Sequence, residues 1–431
     1  MKQHQVIVAG GGFTGVAAAI AAARQGLSVL LLEETNALGG AASRCLVNPF
    51  MPYWTPIYPK EGEQRKTLSD GIFTEICKNL IALTKSIHGE NAKYTTLPMN
   101  TFSEEYLKIV LNRMLSEAKV DTLFHTSVVA VKQEDGEVTS LTVSNADGLT
   151  ELQADCFIDC TGDADVAHLA GFPCHLGRES DHLCQPMTLC FRVGDVDRDK
   201  FNGDARRLMQ KLYKERKADG RIKNVREDVL LFSTISDSVI HFNTTRVVKL
   251  NPTSAEDVTK AEIEAREQVL EMFLFLRECV PGFENAHLLS TAMHIGVRES
   301  RMIDGEYTIT QEDLLACRKF EDGIAACNYD IDIHNPEGSG TSHYYFPPHE
   351  YYTIPYRALI PKNAKNLLVA GRCISSTHEA QASYRIMPVV CTLGEAAGVA
   401  AGVAVKSGCS VMDADVAKIR AILRENGAVV D

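Results

Sequence analysis

The chain begins with two apolar runs, separated by a glycine-rich segment and a run of small apolar residues. An apolar run at residues 6–9 leads into Gly10-Gly11-Gly12-Phe13-Thr14-Gly15, which small apolar residues 16–23 follow. A second apolar run, residues 27–32, ends at Glu33 and Glu34. Short apolar runs are typical of buried strands, and glycine-rich segments are typical of turns. The pattern predicts a strand, a glycine turn, a helix and a second strand.

This order is the one that a dinucleotide-binding turn requires. Gly10 permits the tight turn, Gly12 allows a pyrophosphate to approach the backbone, and Gly15 lets the helix pack closely on the strand. The free N–H groups at the start of the helix then face the phosphates. Glu33 lies about 20 residues beyond the glycines, where a carboxylate accepts hydrogen bonds from an adenosine ribose. These residues together predict a nucleotide site.

Apolar spacing predicts further elements along the chain. Helices are expected at residues 69–86, 102–119 with Ser103 as N-cap, 206–223 and 255–278. The last of these should bury an apolar side made of Ile263, Val269, Leu270, Phe273 and Leu276. Strands are expected at residues 121–131, 137–144, 154–160, 187–193, 239–243 and 287–294. A late strand at residues 366–370 runs into Gly371 and Arg372, and a small-residue helix starts near Pro388 and stops near Gly408.

Composition and charge narrow the function classes. At 431 residues the chain is long enough for two domains or one large mixed unit. A formal net charge of −12 argues against nucleic acid as a partner, because phosphate binding needs a basic face. No stretch approaches the ~18 uninterrupted apolar residues of a membrane span. The thirteen cysteines contain no C-x-x-C pair, which predicts reduced thiols in a cytoplasmic protein and no metal.

Several segments together resemble a known family. They are residues 161–163 (Thr-Gly-Asp), 185–188 (Gln-Pro-Met-Thr), 295–301 (Ile-Gly-Val-Arg-Glu-Ser-Arg), 371–375 (Gly-Arg-Cys-Ile-Ser) and 382–388 (Ala-Ser-Tyr-Arg-Ile-Met-Pro). With the first glycine motif and the doublet Gly39-Gly40, they make the chain similar to the FAD-dependent oxidoreductase family, within the wider glutathione-reductase-like superfamily. The resemblance covers nearly the whole length, and it implies FAD as the cofactor without indicating a substrate.

The resemblance also implies a fold. The expected class is α/β, with a Rossmann-like FAD-binding domain built from separated segments, residues 1–184 and 351–431. A second, α+β substrate domain would occupy residues 185–350. The small-residue helix from Pro388 would direct its N-terminus at the electron-rich end of the flavin.

The family resemblance also implies which residues of this chain contact the cofactor. The resemblance places the pyrophosphate and ribose as above and assigns further contacts to the glycine doublet region, to residues 161–163 and to the late strand. The implied cofactor-binding residues are Gly10, Gly12, Phe13, Thr14, Gly15, Glu33, Glu34, Gly40, Ala41, Arg44, Val129, Thr161, Gly162, Asp163, Gly371, Arg372, Met387 and Pro388. Val129 would contact the adenine, and Met387 and Pro388 the flavin pyrimidine.

Candidate catalytic residues fall into two groups. Arg298, Arg301 and Arg385 are expected to clamp a substrate carboxylate, because a guanidinium matches a carboxylate with two hydrogen bonds. His378, His294 and Tyr384 are the acid/base candidates. The expected reaction passes a hydride between a small organic substrate and flavin N5.

The sequence leaves the electron partner and two alternative functions open. The sequence contains no second strand–glycine–helix unit, so a separate electron donor or acceptor such as oxygen, a quinone or a protein is expected. Alternatives are a flavin-binding protein with a structural or RNA-modification role, and an NAD-dependent dehydrogenase. The sequence does not indicate the oligomeric state.

Overall fold

A computed structural model describes residues 3–431 of the chain. Residues 1 and 2, at the start of the predicted FAD-binding domain, lie outside the described residues. The strands are β1 (Val6–Ala9), β2 (Val29–Leu32), β3 (Trp54–Thr55), β4 (Lys66–Thr67), β5 (Asp121–Leu123), β6 (Ser127–Glu134), β7 (Glu137–Asn145), β8 (Gly148–Leu152), β9 (Cys156–Asp159), β10 (Cys174–Leu176), β11 (Phe191–Gly194), β12 (Leu231–Ser233), β13 (Ile240–Phe242), β14 (His287–Thr291), β15 (Arg301–Ile303), β16 (Gly323–Cys327), β17 (Ile331–His334), β18 (Thr341–Tyr344), β19 (Tyr352–Pro355) and β20 (Leu367–Val369). The helices are α1 (Phe13–Arg24), α2 (Ala41–Arg44), α3 (Ile72–His88), α4 (Glu104–Glu117), α5 (Asp165–Leu169), α6 (Gly203–Ala218), α7 (Ala255–Cys279), α8 (Gln311–Leu315), α9 (His378–Tyr384), α10 (Met387–Ser407) and α11 (Val416–Glu425), with a 3₁₀ turn at Tyr356–Leu359.

A five-stranded parallel sheet in the order β20-β9-β1-β2-β5 organises the site. The last residues of four strands are in register, since Ala9 pairs with Leu32 and with Asp159, and Asp159 pairs with Val369. The turns that follow β1, β2, β9 and β20 therefore meet at one edge of the sheet. Successive strands are added on opposite sides of β1, and ligands of open α/β sheets bind where this reversal occurs. The predicted α/β class is confirmed.

Helices α1 and α10 pack against each other over this sheet with unusually close backbones. A Cβ placed on Gly394 would lie 2.0 Å from the Thr14 carbonyl oxygen, and one on Gly398 would lie 2.2 Å from the Ala18 oxygen. Only glycine permits this approach. Helix α10 is also long and apolar enough to cross a bilayer, but 94% of its most apolar window is buried inside the protein, where it serves as a core helix.

Hydrophobic side chains form two cores. The first surrounds the parallel sheet and includes residues from β1 through α5 and from β15 to the carboxy terminus. The second lies mainly within residues 187–297, where helices α6 and α7 cover the antiparallel sheet β12-β13-β11-β14. The domain boundaries at residues 185 and 350 stay a prediction.

Two local expectations were wrong. The segment predicted as one strand at residues 121–131 divides near His125, whose φ is +50°, so that β5 joins β2 in the parallel sheet while β6 pairs with β7. On α7, Ile263 and Leu270 are 61% and 49% exposed. The buried face of α7 is rotated towards small and polar residues, because Ala261 and Ala265 pack inward and Gln268 bonds to the Arg246 backbone.

The other predicted helices agree with the structure within a few residues. Ser103 caps α4 as expected, since its hydroxyl accepts a hydrogen bond from the Tyr106 N–H. Helix α10 starts with Pro388 in its first turn and ends at Gly408, which adopts a left-handed conformation (φ +61°). Both ends follow the ordinary preferences for proline and glycine.

Candidate active site

The edge of the parallel sheet opens into one large cavity of about 770 Å³, within the range of about 300–1,000 Å³ that ligand pockets occupy. The cavity extends from the glycine turn past Cys45 and Met387 to a group of arginines that includes Arg298. One end of the cavity therefore lies at the glycine turn and suits a nucleotide. The other end, the far end, is the charged one and contains Arg298.

The glycine turn has the geometry that its sequence predicts. Gly10 has φ +100°, and a Cβ there would lie 2.4 Å from the Cys160 oxygen; a Cβ on Gly15 would lie 1.8 Å from the Gly10 oxygen. Gly12 differs, because a Cβ there would meet only the Gly40 Cα, at 3.7 Å. Gly10 and Gly15 are thus required by protein packing. Gly12 instead faces open space at the start of α1, where no side chain caps the helix.

Glu33 is held in place by three protein donors. Its carboxylate accepts hydrogen bonds from the Gly11 N–H (2.7 Å), the Thr35 N–H (2.8 Å) and the Thr35 hydroxyl (2.5 Å). A carboxylate offers about four acceptor positions, so one remains for a ligand. Glu33 is buried and lines the cavity, in agreement with a ribose contact.

The amino ends of two helices reach the cavity. Phe13 and Thr14 at the start of α1, and Ile386 and Met387 at the start of α10, all belong to its lining. Neither helix start is capped by a side chain, so unsatisfied N–H groups and positive dipole ends remain for an anionic ligand. The first end suits a diphosphate, and the second suits the electron-rich end of a flavin.

The Nε atom of Arg372 is a buried donor that a ligand in the cavity could satisfy. Arg372 follows the late strand, donates to Asp163 (2.6 Å) and lines the cavity. Its Nε is buried and has no hydrogen-bond partner among residues 3–431. A buried donor without a partner is costly, and a polar ligand in the cavity would relieve that cost. The residues present therefore fit FAD.

Most of the implied cofactor residues meet in this cavity. Those that line it are Gly10, Gly12, Phe13, Thr14, Glu33, Glu34, Gly40, Ala41, Arg44, Thr161, Gly162, Asp163, Gly371, Arg372 and Met387. Gly15 acts through packing instead, and Pro388 is buried within α10. Val129 is 44% exposed because it is the extra residue where the β6–β7 register shifts between Val128 and Ala130, and its neighbour Val128 lines the cavity instead.

The candidate catalytic residues separate into two sets. Arg298 and Arg385 line the cavity. The other four lie outside its lining: His378 is buried and bonds to Glu299 (2.7 Å), and Tyr384 is buried and bonds to Ser376 (2.6 Å). Arg301 pairs with Asp165 beside α5.

The fourth, His294, lies next to Arg44 rather than in the cavity. Burial and the Arg44 charge lower its pKa. Three of the four side chains are engaged by internal partners, whereas for His294 the backbone N–H bonds to the Arg44 carbonyl (3.3 Å). A general acid or base must reach its substrate within hydrogen-bond distance.

Arg298, at the far end, is a buried guanidinium without an anionic partner among residues 3–431. It is largely buried and donates only to uncharged groups: the Pro186 carbonyl (2.7 Å), the Thr188 hydroxyl (2.6 Å) and Asn243 (3.4 Å). No carboxylate forms an ion pair with it within the described part of the chain. Burial and the neighbouring guanidinium of Arg385 lower the pKa of Arg298 to about 9. The guanidinium stays charged at neutral pH, and an anion beside it would stabilise that charge.

The cavity also contains thiols and residues that the sequence did not single out. Burial raises the pKa of Cys45 to about 11 and of Cys190 to about 12, so both remain protonated and unsuited to nucleophilic attack. Unanticipated lining residues are Arg226, Glu227, Asp228, Tyr329, Asp332, His334, Thr341 and His343. The alternation of polar residues at 330, 332 and 334 and at 341 and 343 is a period-two signal that could have found several of them. Within residues 3–431 no group of three histidine, cysteine or acidic residues is arranged to hold a metal.

The family of the chain follows from a match over nearly its whole length. Residues 5–423 match the family described as FAD dependent oxidoreductase. No curated protein sequence matches the chain. Among solved structures, a geranylgeranyl bacteriochlorophyll reductase-like protein from Thermoplasma acidophilum is 12% identical over 99% of this chain and 84% of its own (TM-score 0.47). A p-nitrophenol 4-monooxygenase from Pseudomonas putida is 12% identical over 98% of this chain and 86% of its own (TM-score 0.47).

Proposed function

Because the chain belongs to the FAD-dependent oxidoreductase family, we propose that it transfers a hydride between FAD and a small carboxylate-bearing substrate bound at the arginine end of the cavity. One observation carries the proposal: a single cavity joins the glycine turn to Arg298, a cation without an anionic partner. A substrate carboxylate would supply that partner.

The cofactor would be held by the turn at residues 10–15, by Glu33 and by Arg372. When bound, FAD supplies a hydride acceptor or donor at N5 of its flavin ring. The helix starts at Phe13 and Met387 would orient it through N–H groups and dipoles. These contacts would retain the cofactor and leave the choice of substrate to the far end.

The arginines at the far end would bind and orient the substrate. Arg298 is the primary anion-binding residue, because its charge is the least compensated. Arg385 lies beside it, 3.4 Å from Asp332, and its buried Nε has no partner among residues 3–431. Two guanidinium groups with spare donors suit one carboxylate in a bidentate arrangement.

A separate electron partner completes the cycle. The parallel sheet carries one glycine turn, and every other sheet formed by residues 3–431 is antiparallel. A nicotinamide-binding domain of the usual parallel type is therefore not present among these residues. We infer that the second substrate, such as oxygen, a quinone or a protein, exchanges electrons at the same flavin.

Replacing Arg298 tests the substrate end directly. Oxalate, a small dicarboxylate that cannot donate a hydride from carbon, is the probe, and its binding is read from the perturbed visible spectrum of the flavin. Arg298→Gln should raise the dissociation constant for oxalate by a factor on the order of 100, since losing one partner of a buried charge pair costs about 2–5 kcal/mol. The FAD content should stay unchanged because Arg298 lies away from the glycine turn.

Arg266→Gln is the matched control, since Arg266 is 49% exposed on α7 and pairs with Glu262, which keeps its own hydrogen bond from the Ile295 N–H. It should bind oxalate as the unmodified protein does. Equal oxalate affinity in the Arg298 variant would remove Arg298 from the site and, with it, the proposed carboxylate substrate.

A further inference from the structure

A two-stranded hairpin, β17 and β18, forms one wall of the far end of the cavity. Its strands pair antiparallel, with Asp332 opposite His343 and His334 opposite Thr341. All four of these residues line the cavity. Side chains directly opposite each other on one face of a hairpin lie close together, so the hairpin presents a compact polar group to the cavity.

The two histidines of this group have different environments. His334 is buried, with its Nδ1 3.0 Å from Arg246 Nη2 and its Nε2 3.4 Å from Asp332. Burial, together with the charge of Arg298, lowers the pKa of His334 to about 3. His334 therefore remains neutral and accepts the Arg246 hydrogen bond through Nδ1. Its role is to position Asp332 and Arg246.

His343 is arranged to exchange a proton. Its Nδ1 lies 2.6 Å from the Asp330 carboxylate and 3.7 Å from that of Asp332, and its ring stacks on Tyr345. Its side chain is 38% exposed, and Nε2 has no hydrogen-bond partner among the described residues. A carboxylate on Nδ1 fixes the tautomer in which Nε2 carries the free lone pair.

Asp330 complements a positive charge on His343. The Asp330 side chain is 8% exposed, and burial raises its pKa. A protonated His343 beside it would stabilise its anionic form. Asp332, the other carboxylate facing His343, is already engaged by His334 and Arg385. Asp330 is thus the positioning partner of His343.

The carboxylates at this end are largely compensated by cations. Asp332 pairs with Arg385 through Oδ2, Glu227 with Arg246, and Asp228 with Arg226. An ammonium group would therefore have to share a carboxylate such as Asp332, whose Oδ1 has no hydrogen-bond partner among residues 3–431. A neutral hydroxyl needs no anion, and it requires only an acceptor such as an imidazole nitrogen.

We propose that the substrate is a 2-hydroxy carboxylate whose carboxylate binds Arg298 and whose hydroxyl proton is taken by Nε2 of His343. This inference rests on the proposed function. The C–H and O–H bonds of the alcohol carbon break and a C=O bond forms, giving a 2-oxo acid. The hydride and its electron pair go to FAD, while the proton goes to His343 and then to solvent through the exposed side of its ring.

The test is anaerobic mixing of the FAD-loaded protein with lactate, malate, 2-hydroxyglutarate and mandelate, and with alanine, aspartate and glutamate. Loss of oxidised-flavin absorbance is followed over time. At least one hydroxy acid should reduce the flavin, and none of the amino acids should. His343→Gln should lower the rate by about 100-fold or more, while the oxalate dissociation constant changes by no more than about twofold.

Asp330→Asn tests the positioning of His343 separately from substrate binding. Without the carboxylate on Nδ1 the tautomer of His343 is no longer fixed, so the rate of flavin reduction should fall while the oxalate dissociation constant changes by no more than about twofold. His287→Gln is the matched control, because His287 makes a similar Nδ1 contact with Asp195 (3.0 Å) where both side chains are 69% exposed. It should leave the rate and the oxalate dissociation constant unchanged.

Three results would overturn the inference. They are flavin reduction by the His343 variant at the unmodified rate, reduction by amino acids instead of hydroxy acids, and reduction by no hydroxy acid although oxalate binds through Arg298. In each case the carboxylate site of the proposed function would stand. Failure of oxalate to bind the unmodified protein would instead remove the proposed function itself.

Discussion

The Gly12→Val protein is expected to fold normally and to purify without flavin. Gly12 lies at the start of α1, lines the cavity and has an ordinary φ of −68°. An added Cβ would meet only the Gly40 Cα, at 3.7 Å, so the branched side chain projects into the space that the pyrophosphate requires. The fold loses little, whereas close approach of the phosphates to the backbone is blocked. FAD released on denaturation, per mole of protein, is the measurement.

Gly203→Val provides the comparison for this variant. Gly203 is also at a helix start, that of α6, and a Cβ there would meet only Arg207, at 3.6 Å. This substitution lies outside the cavity lining and should leave the flavin content unchanged. Normal flavin retention by the Gly12 variant would show that the diphosphate is bound elsewhere. Loss of folded protein would show that Gly12 is required for packing instead.

Gly394→Ala is expected to destabilise the fold by about 3 kcal/mol. In an ordinary helix interior the same change stabilises by up to about 1 kcal/mol, because alanine is the better helix former. At this position the new Cβ would lie 2.0 Å from the Thr14 carbonyl oxygen and 2.8 Å from the Thr14 Cα. These are backbone atoms, so α1 and α10 must separate. Thr14 belongs to the glycine turn, and flavin should be lost together with stability.

A second glycine on α10 separates this clash from a general effect of substitution. At Gly402 the nearest atoms to a new Cβ are Gln25 Cγ (2.7 Å) and Cβ (2.8 Å). Gln25 caps the end of α1, where a small shift costs less than separating the two helices at the Thr14 backbone. Gly402→Ala should therefore unfold at a higher temperature than Gly394→Ala and keep its flavin. Equal thermal midpoints for the two variants would contradict the close contact between α1 and α10.

Local sequence patterns predicted which residues would gather at the glycine-turn end of the cavity, because these residues are close in sequence. The strand, glycine turn and helix at residues 6–24 are consecutive, and Glu33 follows the next strand directly. Once the sheet is parallel and in register, the residues after each strand meet at one edge. The family match fixes the cofactor as FAD rather than NAD.

The far end of the cavity was predicted less well because it is assembled by tertiary packing. Arg298 and Arg385 line the cavity, but His378 and Tyr384 are turned towards internal partners that are distant in sequence or hidden by the fold. The wall that contains His343 depends on the pairing of β17 with β18. The alternation of polar residues along these two strands was visible in the sequence. The sequence did not show that the polar face of the hairpin lines the cavity.

The exposed Ile263 and Leu270 illustrate the same limit on α7. Apolar spacing alone suggested that they face inward. The observed face is set instead by close packing of Ala261 and Ala265, and by the hydrogen bonds between Gln268 and the Arg246 backbone. Small residues and buried amides carry little weight in a hydrophobic pattern, although they decide how the helix is rotated.

The most direct test is a crystal structure of the FAD-loaded protein with oxalate bound. We expect the diphosphate at the turn of residues 10–15, the flavin ring between Cys45 and Met387, and oxalate on the guanidinium of Arg298. A flavin ring directed away from Arg298, or oxalate bound outside the cavity, would contradict the account.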